Sequence, residues 1–455
     1  MTSMPELEHR HTHTEAMLSV EDALSRILSF VEPLEPVRLP LADVVGMVLA
    51  GDVTSELDVP PLDNSAMDGY AVRAGDVAGA SEGTPSTLRI IGKIAAGQLP
   101  SAPVTAGTAI RIMTGAPIPD GADSVVPFEE TDEVERRRDG RALDEVSVNM
   151  PAALGAHVRL AGRDITKGQT VLKAGTVLRP AQIGLLASLG HPKASVHRRP
   201  VVAILATGDE LAQPGEVLPE GRIYDSNSPG LTAAVLEAGG VPKPIGFARD
   251  DLGSVNAKLD EGLDADLLIT SAGVSKGDFD MVKDVLSERG EMQFWSVRMR
   301  PGKPLAFGLL SAGGPSGQGE TGTQSVPNLD GQSVTRNVPH LGLPGNPVSA
   351  LVAFEQFGRP AIARMLGRGP VPRPTVRAVL ADPIRNADGR RVFARAVVTR
   401  RDDKYHASLT GNQSSNLLTS MAEANGLAIC PEDVPGMGVG EEVEVLMLQW
   451  PPEVF

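Results

Sequence analysis

A single cysteine, Cys430, in 455 residues rules out an internal disulfide and any multi-thiolate metal site. The fold must therefore be held by its apolar core, which suits a reducing compartment, and Cys430 itself is expected to be a small core residue. Aromatic residues make up only 3% of the chain, leaving few rings for stacking on bases. Basic residues are also in the minority: 42 Lys and Arg against 57 Asp and Glu give a formal charge of −15, the wrong sign for a surface that follows a phosphate backbone. No apolar run approaches the roughly 20 residues that cross a bilayer, and no basic-then-apolar leader is seen. Nucleic-acid and membrane partners are excluded on these grounds, and a cytoplasmic location is expected. The chain has no Walker lysine motif and no Gly-x-Gly-x-x-Gly opening a βα turn, and its eight histidines form no Ser-His-Asp pattern. A P-loop nucleotidase, a dinucleotide dehydrogenase and a triad hydrolase are thereby set aside.

Glycine (49) and proline (37) are plentiful, and they stand where apolar runs end. Residues 341–347 read Leu-Gly-Leu-Pro-Gly-Asn-Pro and pass straight into a helical pattern at 348–366. A proline in the first helical turn costs no hydrogen bond, and a glycine lets backbone amides approach a ligand, so this loop reads as an anion cradle. Run 201–206 ends in Thr207-Gly208-Asp209-Glu210, run 266–270 ends in a polar loop through Asp280, and a short strand at 244–247 ends in Arg249-Asp250-Asp251. Helical stretches at 231–238 and 252–262 lie between them. Continuous apolar strands alternating with helices imply a doubly wound, mostly parallel α/β sheet whose ligands bind beyond the carboxyl ends of its strands.

Around this sheet the reading is multidomain, α/β plus β. A disordered leader (1–18) precedes an N-terminal helix segment (19–36), with Ser19 as cap and Asp22 in the first turn. Proline-broken stretches (37–55 and 169–198) form an extended connecting domain. Short strands at 88–94, 108–113, 124–128 and 146–150 make a small β domain (56–168), with 131–141 as a solvated hairpin tip. The α/β domain covers 199–370 and carries a disordered Gly/Ser-rich insertion at 311–337. After Pro374 the helices stop, and strands at 376–380, 392–398 and 443–448 indicate a C-terminal β-barrel-like domain (371–455).

Glu210, Asp250 and Asp280 each lie just past a strand, so three carboxylates from distant stretches can meet, a donor set that suits Mg²⁺. Arg298, Arg300 and Lys303 surround the turn Pro301-Gly302, and with Lys276 they can hold a phosphate or another oxyanion. A cleft with both signs is equipped to move or hydrolyse phosphoryl groups. Folding needs do not explain residues 63–70 and 111–117.

Five segments, DNSAMDGYA (63–71), RIMTGAPIP (111–119), TGDEL (207–211), PGKP (301–304) and LPGNPVS (343–349), stand in an order and spacing that resemble the molybdopterin molybdenumtransferase family of MoeA and the gephyrin E-domain. The resemblance runs from about residue 19 to 446. It implies a MogA-like α/β domain, a homodimer, and the last step of molybdenum cofactor synthesis, in which molybdate enters adenylylated molybdopterin and AMP leaves with Mg²⁺ assisting. It implies that each site lies between the α/β domain of one subunit and the small β domain of the other, with Asp68 and Thr114 reaching across. It places Glu210, Asp250 and Asp280 as catalytic and metal-binding carboxylates and Ser275 near the substrate. Arg300, Lys303, Asn346, Ser349, Arg395 and Ser415 fall in the substrate and molybdate pocket. A molybdopterin adenylyltransferase and molybdoenzymes are the implied partners. Arg300 replaces the family's usual lysine, Ser296 and Arg298 stand where a nearby lysine is common, and Ala272 replaces a glycine that a turn needs if its φ is positive. Two other readings follow: a catalytically reduced paralogue working as a scaffold, or an adenylyltransferase built on a related α/β fold.

Overall fold

The computed structural model describes residues 17–271, 281–311, 326–327, 333–334, 337–369 and 372–450. Most of the expected leader and of the expected insertion lies outside these residues. The described chain divides into two compact units: residues 51–174 with 180–192, and the remainder.

Helix α1 (Val20–Leu28) begins where the sequence places it. The Ser19 hydroxyl accepts the Asp22 amide at 3.0 Å, with Glu21 and Asp22 in the first turn and Arg26 in the last. Ala23 and Ile27 on its apolar face are fully buried. In the proline-broken stretches, two short antiparallel ribbons pair Pro36–Pro40 with Lys193–His197 and Val53–Thr54 with Thr170–Leu172.

The smaller unit is built on five strands, β1 (Gly69–Val72), β2 (Ser86–Ile94), β3 (Thr108–Ile112), β4 (Ser124–Pro127) and β5 (Glu145–Val148), in the order β4-β1-β3-β2-β5. One expectation fails here. Residues 131–141 are not a solvated hairpin tip: Glu133–Arg138 form helix α2, with Glu133 and Arg136 buried. The charges neutralise one another: Arg136 bonds Asp132 and Glu145, and Glu133 is ringed by Arg111 and Arg137. Two of the four partners, Arg111 and Glu145, lie outside the run, so the sequence of the run alone does not show that its charges are buried.

In the larger unit, β6 (Val201–Thr207), β7 (Val241–Ala248), β8 (Leu267–Ser271), β9 (Gly290–Ser296), β10 (Pro304–Ser311) and β11 (Asn337–Leu343) form one sheet in the order β7-β6-β8-β11-β10-β9. The first four are parallel, and β10 and β9 are antiparallel. Alternate residues enter different cores: Val202, Ile204, Leu267 and Ile269 face one cluster, Ala203, Leu205 and Leu268 the other. This two-sided burial makes the runs continuously apolar. Helix α3 (Asn227–Ala238) joins the first core, and α4 (Leu252–Gly262) and α5 (Met281–Arg289) join the second. Pro242 and Pro244 are tolerated in β7 because it is an edge strand. Helix α6 (Pro347–Ala353) continues through a π-helical turn (Phe354–Gly358) and Arg359–Met365.

Strands β12 (Thr375–Leu380), β13 (Arg391–Arg401), β14 (Lys404–Leu409), β15 (Gly426–Cys430) and β16 (Glu442–Met447) close into a five-stranded barrel in the order β13-β14-β12-β16-β15-β13. Cys430 is buried in its core. Helices do not stop at Pro374, because α7 (Leu418–Glu423) interrupts the barrel strands. At six residues it is too short for periodicity to reveal it.

His340, in the middle of β11, is fully buried, shares a 3.0 Å hydrogen bond between Nε2 and Thr270 Oγ1, and has no Nδ1 partner among the described residues. Burial lowers its pKa from 6.5 to about 3. The unfolded chain therefore takes up a proton at this position that the folded chain refuses. The resulting stability is complete above pH 6.5 and is lost as pH falls toward 3. Denaturation of wild type and His340→Leu between pH 7 and 4 should show wild type losing stability relative to the variant as pH drops; parallel curves would contradict this.

Candidate functional site

The four parallel strands end at one edge, and a cleft of about 790 Å³ opens there. Thr207 and Ser271 close β6 and β8 on its floor, and Ser271 is in register with Leu343 at the end of β11. Ser271 is 1% exposed, and its Oγ has no partner among the described residues. A buried hydroxyl facing a cavity without a partner carries a desolvation cost that a ligand atom can remove.

The opposite wall is the loop between β11 and α6. Asn227 Nδ2 donates to the Gly345 carbonyl at 2.7 Å, and the Asp225 carboxylate accepts the amides of Asn227 and Ser228 at 3.0 Å, fixing the start of α3 against this loop. Asn346 caps α6 without a side-chain capping bond, Pro347 follows in the first turn, and no acidic residue lies there. The positive end of a long helix is thus left without a counter-charge, and Asn346 and Ser349 line the cleft beside it.

A second loop packs on this helix start. Val348 N–H donates to the Ser415 carbonyl at 3.3 Å, and Asn416 lines the cleft. Arg395, 1% exposed on β13, holds that loop: Nε donates to Ser420 Oγ, Nη1 to Gln413 O, and Nη2 to Asn412 O and Ser414 O. Most of its guanidinium is therefore committed to backbone carbonyls.

Glu210 lines the cleft at its exposed mouth, while Asp250 is exposed on the adjoining loop. The two loops touch, since Gly208 N–H donates to Ala248 O at 3.2 Å and Asp250 N–H to Asp209 Oδ1 at 3.2 Å. Asp280, Ser275, Lys276 and Ala272 lie outside the described residues. Among the described residues no three His, Cys, Asp or Glu side chains are grouped to hold a metal.

The cations stand apart from the cleft floor. Among its described lining residues there is no lysine or arginine. Arg300 lines a separate cavity of about 410 Å³ together with Arg395, donates to Arg385 O at 2.5 Å and lies 3.7 Å from the Asp388 carboxylate. Lys303 is exposed next to Pro304, which lines the cleft, and Arg298 is also exposed.

In the smaller unit, Asp68 just before β1 and Thr114 in the turn after β3 are brought together. Asp68 Oδ1 accepts the Thr114 amide at 2.7 Å and its hydroxyl at 2.8 Å. Those two bonds, the amide first, hold the Asp68 carboxyl below the usual carboxylate range. Both residues are exposed.

Residues 18–190 match the MoeA N-terminal region (domains I and II), 203–364 a probable molybdopterin-binding domain, and 377–448 the MoeA C-terminal region (domain IV). Molybdopterin molybdenumtransferase 2 of Mycobacterium tuberculosis H37Rv is 38% identical over 436 residues, covering 94% of this chain and 99% of its own. The chain belongs to the molybdopterin molybdenumtransferase family. The family member of Haemophilus influenzae is 32% identical over 433 residues, with 94% and 98% covered. The crystal structure of a molybdopterin biosynthesis MoeA protein from Pyrococcus horikosii superposes with a TM-score of 0.79 at 32% identity, covering 96% of this chain and 100% of that one. Within this family frame, cleft residues that escaped the sequence reading include Ser271, Asp225 and Asn227. Ser271 carried one usable signal, a hydroxyl at the end of a buried strand. Asp225 and Asn227 resemble ordinary turn formers.

Proposed function

We propose that this chain is a molybdopterin molybdenumtransferase, inserting molybdate into adenylylated molybdopterin with release of AMP in the last step of molybdenum cofactor synthesis. The observation that carries the reading is the cleft at the sheet edge, where an uncompensated helix start, Ser349 and the unpartnered Ser271 converge on a space sized for a nucleotide-bearing ligand. The helix start and the hydroxyls would hold the adenylate phosphate. Arg300 and Lys303 would supply positive charge for the oxyanion, and Arg395 would keep Ser415 and Asn416 in place. Glu210 and Asp250, exposed oxygen donors on touching loops, would hold Mg²⁺ together with Asp280, and the ion would offset phosphate charge. In the assembly proposed, two copies pair, the small domain (56–168) presents Asp68 and Thr114 to the other copy's cleft, and 37–55 with 169–198 connect the bodies. A cytoplasmic enzyme fits the absence, among the described residues, of any helix long and apolar enough to cross a membrane.

The test is AMP release and reconstitution of an apo-molybdoenzyme from adenylylated molybdopterin, molybdate and Mg²⁺. Turnover with wild type and a loss of about 10²-fold in Glu210→Gln are expected. ATP consumption with molybdopterin alone would favour the adenylyltransferase, and a folded dimer with no AMP release the scaffold.

Gly208 offers a milder probe. Its φ is +149°, and a Cβ there would lie 2.4 Å from Glu210 Oε2. The carboxylate must swing away in Gly208→Ala, and the backbone must absorb about 1–3 kcal/mol of strain. AMP release should fall much further than the melting temperature; proportional losses in both would contradict this placement of Glu210.

A further inference from the structure

In the smaller unit a buried ion network lies directly beneath the Asp68–Thr114 pair. Glu133 accepts Tyr70 Oη at 2.5 Å, Arg111 Nε at 3.1 Å and Nη2 at 2.8 Å, and Arg137 Nε at 2.8 Å. Burial would raise its carboxyl, but the bonds from Arg111, Tyr70 and Arg137 outweigh that and leave it lowered, so Glu133 remains an anion. Tyr70 and Arg111 face each other across β1 and β3, and Glu133 clamps that pair. Asp68 stands two residues before Tyr70, and Thr114 three after Arg111. The Asp68 carbonyl accepts the Phe128 amide at 3.2 Å, and the Phe128 ring packs on both clamped residues, 4.3 Å from the Arg111 Cζ and edge-on to Tyr70 at 5.6 Å. Arg111 Nη1 also reaches Met113 Sδ at 3.6 Å, next to Thr114.

We infer that Glu133 is a positioning residue, which through Tyr70, Arg111 and Phe128 holds the exposed Asp68–Thr114 pair in the geometry that meets substrate. This rests on the reading that Asp68 and Thr114 serve the transfer reaction. Apolar packing would stabilise the sheet equally well, since buried ion pairs seldom add net stability. A charged clamp instead pins one register and one direction for two short loops.

The experiment compares full-length Glu133→Gln, Tyr70→Phe and Asp68→Ala with wild type, following kcat and KM for AMP release and the NMR resonances of the Thr114 amide and the Asp68 carboxyl. Glu133→Gln should lower kcat by about 10- to 100-fold with KM nearly unchanged, as expected for ångström-scale misplacement, and should move both resonances. Tyr70→Phe, which removes one hydrogen bond and spares the ion pair, should shift them in the same direction by less, and it decides the question if Glu133→Gln fails to fold. Unmoved resonances and wild-type kcat in folded variants, with Asp68→Ala inactive, overturn the positioning role alone. Full activity in Asp68→Ala overturns the site reading and the inference with it.

Discussion

Replacing Arg395 by lysine is expected to lower AMP release by about 10²-fold in a chain that remains folded. Arg395 holds the 412–416 loop with three backbone carbonyls and the Ser420 hydroxyl, all addressed by one rigid fork. Its own backbone amide donates to Gln413 Oε1 at 2.8 Å, and its carbonyl accepts the Thr410 amide at 3.1 Å, so the loop is wrapped around this one residue. A lysine keeps the charge but has no planar fork, and it cannot reach all three carbonyls together. Arg395→Ala removes four hydrogen bonds to acceptors that are largely part-buried and empties a fully buried site, so it should destabilise the barrel by roughly 3 kcal/mol or more. The functional consequence passes through Ser415 and Asn416, whose loop meets the start of α6 and the cleft wall. Amide hydrogen exchange across 410–417 should rise in Arg395→Lys in step with the loss of turnover. Lost turnover with unchanged exchange would mean that the guanidinium touches the substrate directly, and full turnover would remove Arg395 from the account.

Gly69→Ala is expected to be among the most damaging small substitutions at the described residues. A Cβ at Gly69 would sit 2.0 Å from the Val126 carbonyl oxygen and 2.8 Å from its carbon, at the first pair of the β1–β4 register. Backbone cannot yield as a side chain can, so the two strands must part, and overpacking of this kind costs about 3 kcal/mol or more. Asp68, one residue earlier, would be displaced with them. Denaturation followed by a probe in the smaller unit should show an early transition and a lost Thr114 amide signature, whereas an unchanged melting profile would contradict the close approach.

Much of the architecture could be read from the chain because the physics behind it is local. The run 201–206 is apolar throughout since neighbouring residues enter opposite cores, and Ser19 caps α1 through a bond to a residue three positions away. The Leu-Pro-Gly-Asn-Pro loop announced a helix start free of acidic residues, and the structure has one. What escaped was non-local. Glu133–Arg138 looked like solvent-facing charge because the Arg111 partner of Glu133 lies 22 residues away, on strand β3. Composition could not show that the Asp68 side chain would meet Thr114, 46 residues on, and only the motif resemblance marked both. Ser271 offers the sequence only a hydroxyl at the end of an apolar run; what marks it out is the missing partner at that hydroxyl, a property of packing. Arg395 was expected at an oxyanion and is found largely occupied by carbonyls, because a guanidinium serves either purpose and its surroundings decide.

The most direct measurement is a crystal structure of the protein with adenylylated molybdopterin, Mg²⁺ and molybdate, with the metal located by anomalous scattering. The account predicts the adenylate in the cleft between Ser271 and Ser349, with the Asp68–Thr114 pair of the other copy closing over it. Ligand in the apolar groove beside Glu237, Glu355 and Arg373, or an empty cleft in an actively turning-over enzyme, would contradict it.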